Sequence, residues 1–394
     1  MKVTSRGIGL LVAGVAGLVT GYAFGYAELA VLGCAAIVAV LCALAYTGWR
    51  PSLSVSRLAD PDRVGRGESS TVTLTVHNTS RFRAATMIAE DRCGRATVPV
   101  PLLRLRPKRD TVVNYPVPTS RRGVVPIGPL RVSRRDPLGL VTMARSQGGT
   151  AQVWVHPRIH QLSAVPAGAT RSLDGLVDKV PHGSITFDSL RPYVVGDELR
   201  HVHWRTSARV GELMVREHVD TSLPSIVVLL DDRAAAYPRP ADGVVETFES
   251  ACEAAASVVA AAVREDLPIT LHLVSGAAAG GTGGRAQATA GFLDLLAEAD
   301  LTPPGQPAQT PAESLRVATD RLRHQRVGDT VVFLTGPLGR DDLGTVGALR
   351  PAYSSVVVGV FGADGSTPGG AGVVVIDAAD GAQFAAEWDG VRAW

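Results

Sequence analysis

Residues 225–237, SIVVLLDDRAAAY, place five consecutive apolar residues directly before two acids. An uninterrupted apolar run of this length is typical of a strand that is buried on both faces of a parallel sheet. Three later segments have the same character: ITLHLVS (269–275), TVVFLTG (330–336) and SSVVVGVFG (354–362). Together they predict a parallel sheet that carries acids at the carboxyl end of its first strand.

Helical segments separate these strands, at residues 244–266 and 311–324. The alternation of strands and helices predicts a doubly wound α/β domain over residues 224–394, with helices on both faces of the sheet. Three glycine- or proline-rich segments are predicted to be connectors without the patterns of a phosphate loop: residues 276–284, 303–311 and 362–372.

Short apolar alternations run through residues 51–160, for example STVTLTVHN (70–78) and AQVWVHP (151–157). Alternation over five to seven residues, broken by glycine, proline and asparagine, is typical of half-buried strands. The region is therefore predicted to be an immunoglobulin-like β-sandwich. It contains no cluster of residues that resembles a catalytic site.

Two apolar runs precede that region, at residues 7–26 and 29–46. Each is close to the ~20 residues that cross a bilayer, and only Ala27 and Glu28 separate them, so residues 1–50 are predicted to form a transmembrane hairpin. A signal peptide followed by one anchor is disfavoured because no A-x-A type cleavage site lies between the runs. Basic residues flank the hairpin: Lys2, Arg6, Arg50 and Arg57. By the positive-inside rule, both termini and the soluble domains are expected in the cytoplasm, at the cell membrane.

Charge divides the soluble part. Residues 50–145 contain 18 Lys/Arg and 7 Asp/Glu, whereas residues 220–394 contain 11 and 22. Such asymmetry suggests different neighbours for the two halves. We expect the basic half to face the anionic lipid of the inner leaflet, and the acidic half to favour a basic partner. The four cysteines include no CxxC pair, which argues against a zinc site or a disulfide framework.

A dense polar segment joins the halves. Residues 187–217, FDSLRPYVVGDELRHVHWRTSARVGELMVRE, resemble the signature of the bacterial family named domain of unknown function 58. The matching residues are Arg191, Tyr193, Gly196, Asp197, Arg200, Trp204, Ala208 and Arg209. His203 departs from the family pattern, which usually has Asp or Asn there. Upstream, residues 121–140 and 153–157 resemble further family motifs.

The resemblance implies a membrane-anchored protein with two N-terminal spans, a β domain and a von Willebrand factor A-like α/β domain over residues 224–394. It also implies a setting beside MoxR-type AAA+ ATPases, in assembly or chaperone-like work at the cell envelope. The signature segment, residues 161–223, then joins the two soluble domains.

A von Willebrand A domain that binds Mg²⁺ does so through D-x-S-x-S at the end of its first strand, since this cation prefers oxygen ligands. Here Asp231 and Asp232 are followed by Arg233 and then by alanines, so the two hydroxyl ligands are missing. We therefore predict no metal and no cofactor, and we expect these three residues to contact a partner or cap a helix. A metal-dependent adhesion module remains an alternative.

Asp197, His201 and His203 form the other candidate group, for a hydrolase or transferase. Neither a third metal ligand nor a nucleophile with its base is evident, and Ser207 lacks the G-x-S-x-G context. Residues 189–218 carry a net charge of only +1, which argues against nucleic acid. We favour a structural network of the signature arginines and Asp197, with Trp204 half-buried under a guanidinium. The predicted function is a non-enzymatic, membrane-anchored scaffold that binds a MoxR-like AAA+ ATPase.

Overall fold

The computed structural model describes residues 2–48, 53–80, 85–163, 165, 170–171, 177–178, 187–193, 202–219, 225–238, 244–280, 285–302, 311–325, 328–362 and 372–391. The chain divides into two compact units, Met1–Val155 and His156–Trp394. Two apolar helices, a strand-rich region and an α/β region follow one another along the chain, which confirms the predicted order of these parts.

The first unit contains two helices and, among its described residues, eleven strands. The helices are α1 (Ser5–Phe24) and α2 (Ala27–Gly48). The strands are β1 (Lys2–Val3), β2 (Leu53–Asp60), β3 (Arg63–Gly65), β4 (Thr71–Asn78), β5 (Ala85–Cys93), β6 (Ala96–Leu105), β7 (Asp110–Pro116), β8 (Gly123–Ile127), β9 (Leu130–Arg135), β10 (Val141–Gln147) and β11 (Ala151–His156).

The helices α1 and α2 are both long and apolar enough to cross a membrane, which is compatible with membrane anchoring. Glycines let their backbones approach closely: a β carbon at Gly33 would lie 2.6 Å from Gly14 O. Small residues at such a crossing are typical of helices that pack in lipid. The two helices therefore form the predicted hairpin.

The strands of the first unit build a sheet of β2, β4 and β7 and a larger sheet in the order β1-β10-β9-β5-β8-β11-β3, with β6 beside β5. Alternate residues of β4 point into one shared core, as its sequence pattern predicts. Leu74 from the first sheet and Ile127 and Val153 from the second belong to this core and are fully buried. The two sheets are thus held together by apolar contacts between their inner faces.

An ion pair crosses this core. Arg57 of β2 donates two hydrogen bonds to Asp91 of β5, from Nε to Oδ2 at 3.0 Å and from Nη2 to Oδ1 at 2.9 Å. The Tyr115 hydroxyl of β7 donates to the same carboxylate at 2.7 Å. Burial and this hydrogen bond raise the pKa of Tyr115 above its ordinary value. The carboxylate therefore ties both sheets together through three charge-assisted hydrogen bonds.

The second unit contains ten strands and six helices within the described ranges. The strands are β12 (Thr170–Arg171), β13 (Val177–Asp178), β14 (Phe187–Pro192), β15 (Met214–Val219), β16 (Ile226–Leu230), β17 (Ile269–Leu273), β18 (Ala278–Gly280), β19 (Thr330–Thr335), β20 (Ser355–Phe361) and β21 (Val373–Ala378). The helices are α3 (Trp204–Val210), α4 (Glu246–Arg264), α5 (Arg285–Glu298), α6 (Pro311–Gln325), α7 (Leu343–Gly347) and α8 (Gly381–Gly390).

The main sheet of the second unit has the order β18-β17-β16-β19-β20-β21, and all its pairs are parallel except β17 with β18. One core packs α4 and α8 on the sheet through Phe248 and Trp388, and another packs α6 through Leu315 and Leu322. Helices therefore cover both faces, as predicted. The prediction of a connector at residues 276–284 is wrong where β18 forms the antiparallel edge strand.

Residues 156–163 lie across the helices of the second unit. The His156 ring nitrogen Nε2 lies 2.8 Å from Asp294 Oδ1 on α5. At the other end, the Ser163 hydroxyl donates to Asp389 Oδ2 on α8 at 2.8 Å. These contacts attach the segment that follows β11 to the α/β fold.

Candidate functional site

The centre of the main sheet is the place where the strand order reverses. β16 and β19 are neighbours there, and the chain continues from β16 towards β17 and from β19 towards β20. In open α/β sheets, ligands bind outside the carboxyl ends of the strands at such a point. Asp231, Asp232 and Arg233 follow β16 at this edge, and Thr335 ends β19 beside them.

Asp231 is fully buried and is the centre of a hydrogen-bond network. Arg233 donates to both of its carboxylate oxygens, from Nε at 2.8 Å and from Nη2 at 2.7 Å. The Thr335 hydroxyl donates to Oδ2 at 2.7 Å. A carboxylate held by a two-pronged guanidinium and a hydroxyl has its main acceptor sites filled. Asp231 is thus a structural anion rather than an open ligand.

Arg233 joins two acids. Besides Asp231, its Nη2 lies 2.8 Å from Oδ2 of Asp342, in the turn that follows β19. Burial disfavours the charged guanidinium, but hydrogen bonds and the negative charges of Asp231 and Asp342 outweigh burial and raise the pKa of Arg233. The arginine therefore stays charged and locks the turn after β19 onto the end of β16.

Asp232 faces a different loop. Its Oδ1 accepts a hydrogen bond from Ser275 N at 2.9 Å, and its carbonyl oxygen accepts one from Thr302 N at 2.7 Å. Burial raises the pKa of the Asp232 carboxyl, while the hydrogen bonds from Ser275 oppose that shift. The residue therefore fixes the ends of β16 and β17 and the chain at Thr302 relative to one another.

Tight packing surrounds the network. The Tyr237 hydroxyl donates to Asp231 O at 2.7 Å, and burial raises the pKa of Tyr237 well above its ordinary value. A β carbon at Gly339 would lie 2.0 Å from Thr335 Oγ1, so any side chain there would displace the hydroxyl. The turn after β19 consequently has one close-packed arrangement around Asp231.

A divalent cation does not fit this arrangement. The oxygens of Asp231 that would bind it already accept hydrogen bonds from the Arg233 guanidinium, which supplies the positive charge itself. Within the described ranges, no group of three His, Cys, Asp or Glu side chains has the geometry of a metal site. The acceptor sites of Asp231 are therefore occupied by Arg233 and Thr335.

Millimolar Mg²⁺ or Mn²⁺ is expected to leave the melting temperature of the purified chain unchanged. A cation present at 100 times its Kd would add about 2.7 kcal/mol, and hence several degrees. Thermal scans with and without each metal measure this. The same scans are made on Arg233→Ala, the matched comparison, in which Asp231 has lost the guanidinium. A shift of several degrees in the unaltered chain would contradict the prediction.

The described part of the signature segment includes a two-stranded sheet of β14 and β15. β14 pairs antiparallel with β15, Arg191 lies opposite Val215 in this pair, and Tyr193 N donates to Leu213 O at 2.8 Å. Trp204 and Arg209 lie on α3 between these strands. The remaining predicted members lie outside the described residues: Gly196, Asp197, Arg200 and His201. The structural network of arginines and Asp197 therefore stays a prediction.

Two signature residues differ from expectation. Trp204 is 63% exposed, so the prediction of a half-buried ring is wrong. His203 caps α3, where its Nδ1 accepts a hydrogen bond from Thr206 N at 3.2 Å. Ser207 is also engaged locally, since its hydroxyl donates to His203 O and accepts from Met214 N. His203 therefore caps the start of α3, and Ser207 ties this helix to the start of β15.

Sequence reasoning missed Thr335, Tyr237 and Asp342 as members of the network. Thr335 ends the strand predicted from TVVFLTG, and a hydroxyl at the carboxyl end of the neighbouring strand was the available signal. Asp342 lies in a turn without a recognisable motif. Only the fold brings it to Arg233.

The sequence profile of the family described as "Protein of unknown function DUF58" matches residues 189–386, half of the chain. The chain belongs to this family. The DUF58 match begins in the signature segment and extends through the α/β sheet, so it includes the network around Asp231.

Individual similarities are weaker. The uncharacterized protein YeaD of Bacillus subtilis (strain 168) is 25% identical over 193 residues, which cover 46% of this chain and 48% of YeaD. A CARDB domain from Pyrococcus furiosus, solved in complex with di-metal ions, is 18% identical with a TM-score of 0.20 and covers 27% of this chain and 93% of that domain. A mutant β-glucosidase from Listeria innocua is 15% identical with a TM-score of 0.17 and covers 27% and 16%. The chain thus spans about half of its bacterial relative, and both TM-scores are too low to support a likeness of fold.

Proposed function

We propose that this DUF58 protein is a membrane-anchored scaffold without enzymatic activity, whose α/β domain binds a partner at the carboxyl edge of its main sheet. The observation that carries the proposal is the Arg233 guanidinium, which holds Asp231 and Asp342 together where an open sheet ordinarily binds its ligand. Both carboxylates are paired within the fold, so the edge offers a preformed surface rather than a reactive group.

The finer fold proposals rest on topology and resemblance. The strand order β18-β17-β16-β19-β20-β21 is the 3-2-1-4-5-6 order of doubly wound sheets, and it supports a von Willebrand A-like domain. Two sheets around one core support an immunoglobulin-like sandwich in the first unit. The family resemblance favours a MoxR-like AAA+ ATPase as the partner, and assembly or chaperone-like work at the envelope as the process. For the hairpin we propose both termini and the soluble domains in the cytoplasm.

The partner would contact the residues around the network, because Asp231, Asp232 and Arg233 are themselves buried. Leu338 in the turn after β19 is 56% exposed, and Asp341 beside it is exposed as well. An apolar side chain next to acids suits a basic partner surface with an apolar recess. The surplus of acids in residues 220–394, 22 against 11 basic residues, favours the same kind of partner.

Leu338→Arg is expected to reduce capture of the AAA+ ATPase by about tenfold or more, because replacing an interface anchor typically costs ~1.4 kcal/mol or more. The measurement is a pull-down with the full chain from native membranes, under conditions that keep ATP bound to the ATPase. The melting temperature of the variant should not change, since the side chain is exposed.

Val317→Arg on α6 is the matched control, because Val317 is also exposed, at 41%. Equal loss of capture in both variants would show that the partner does not bind specifically at the carboxyl edge of the sheet. If the unaltered chain recovers no AAA+ ATPase at all, the proposed partner is wrong.

A further inference from the structure

The β strands of the first unit meet the helical hairpin at one end. Leu53, which starts β2 soon after α2 ends, pairs with Asn78 at the end of β4. The start of β5 and the end of β6 pair there too, Ala85 with Leu105. β9 runs antiparallel to β5 and leads into the turn at residues 136–140. Two described connections therefore lie at the hairpin end: residues 106–109 between β6 and β7, and residues 136–140 between β9 and β10.

The turn between β9 and β10 is bonded directly to the hairpin. Thr4, which caps α1, donates from N at 2.9 Å and from Oγ1 at 3.0 Å to Leu140 O. A β carbon at Gly7 would lie 2.3 Å from the same oxygen. Leu140 and Val141 share a buried cluster with Val40 and Ala43 of α2. This part of the β unit is thus fixed to the helices.

The contacts place the turn along α2. Val40 lies eight residues before the end of α2, which is about 12 Å along a helix. The 22 residues of α2 are about 33 Å long, slightly more than the ~30 Å hydrocarbon layer. The turn that touches Val40 and Ala43 therefore lies beside the last turns of the apolar helix.

A cation–π contact brings an arginine to the end of α2. The Arg134 guanidinium of β9 lies 4.2 Å from the ring centroid of Tyr46 near the end of α2. Tyrosines at helix ends mark the membrane–water interface, where arginine side chains reach lipid phosphates. Leu138 at the tip of the turn is 63% exposed. An apolar tip beside an interfacial arginine is suited to a bilayer surface.

More cations lie at the same end of the strands. Arg106, Lys108 and Arg109 form the exposed β6–β7 connection at the same end. The nearby acids are engaged: Asp110 contacts His77, and Asp136 accepts hydrogen bonds from Leu138 N and Val141 N. Among the described residues at this end of the strands, positive charge therefore predominates.

We propose that these five residues, Arg106, Lys108, Arg109, Arg134 and Leu138, form a basic rim that binds the headgroups of anionic phospholipids in the bilayer that the hairpin spans. Leu138 inserts among the upper acyl chains and the cations contact phosphate oxygens. The proposal rests on the proposed membrane anchoring and adds a second, lipid-selective attachment of the β unit.

The insertion of Leu138 is tested with the full chain in nanodiscs that contain neutral and anionic phospholipid. The chain carries Leu138→Cys with Cys34→Ser and Cys42→Ser, and a fluorescent label at position 138, while Cys93 and Cys252 are buried. We expect quenching by spin-labelled lipid and protection from aqueous iodide. Quenching by iodide alone would overturn the inference.

A second label separates this inference from the anchoring on which it rests. Cys34 is exposed within α2, and the chain with Cys42→Ser leaves it available for labelling. If Cys34 is quenched by lipid and position 138 by iodide, the basic rim is wrong and anchoring stands. If iodide quenches both positions, membrane anchoring is wrong as well.

Lipid selectivity is tested by the anionic lipid that co-purifies with the full chain from mixed bilayers. Arg106→Glu with Arg109→Glu is expected to reduce it, since each cation near an anionic surface changes binding by about fivefold. The matched control is Arg92→Glu with Arg95→Glu, at the other end of β5 and β6, about 30 Å away along the strands. Equal lipid content in both variants would overturn the proposed selectivity.

Discussion

Asp231→Ala is expected to lower the free energy of unfolding of the second unit by about 3–5 kcal/mol, the usual cost of removing one partner of a buried ion pair. Alanine leaves Arg233 with one of its two carboxylate partners and removes the acceptor of the Thr335 hydroxyl. Hydrogen exchange of peptides from β16 and β19 measures the loss locally. Peptides from β4 in the first unit serve as an internal reference.

Two further variants identify the cause of the loss. Asp341→Ala removes an exposed acid beside the same turn and is expected to change stability by less than about 0.5 kcal/mol. Asp231→Ala combined with Arg233→Met removes both charges, and it should recover much of the lost stability because no buried charge is left unpaired. If the double variant is no more stable than Asp231→Ala, the ion pair is not the source of the effect.

Asp91→Ala is expected to destabilise the first unit by a similar amount, about 3–5 kcal/mol. The carboxylate is fully buried and accepts hydrogen bonds from Arg57 and Tyr115, which come from the other sheet. Its removal leaves a buried guanidinium and a buried hydroxyl without their acceptor. Exchange rates of peptides from β2, β4 and β5 report this loss, and those from β16 should not change.

Asp62→Ala provides the comparison in the same unit. Asp62 pairs with Arg63 at 3.1 Å, but the two side chains are 64% and 43% exposed. Solvent screens such a pair, so its loss should cost less than about 1 kcal/mol. If Asp62→Ala and Asp91→Ala have equal effects, burial does not determine the strength of these ion pairs.

The local character of the chain was largely predictable. Apolar runs such as IVVLL and the alternation of TVTLTVHN correspond to β16 and β4, since burial on two faces or on one face appears directly in the residue pattern. The lengths of α1 and α2 followed from uninterrupted apolar runs. The signature at residues 187–217 indicated the family that the profile match then showed.

The candidate site was predictable only in its position. The acids after β16 were expected at the carboxyl edge of the sheet, where the structure places them. Their internal partners were not predicted: their side chains are buried and hydrogen-bonded within the fold, and the expected contact with a partner stays a prediction. Trp204 was likewise expected to be covered, and it is exposed.

By itself the sequence determined strands, helices, charge distribution and family, because these depend on residues that are near one another in the chain. Tertiary structure decided which distant groups meet: Asp231 and Thr335 are 104 positions apart, and Arg57 and Asp91 are 34 apart. Such pairs form through the order of the strands in the sheets, which the apolar pattern of each single strand does not encode. The same assembly of strand ends brought Arg134 to Tyr46 and thereby placed basic side chains at the end of the hairpin.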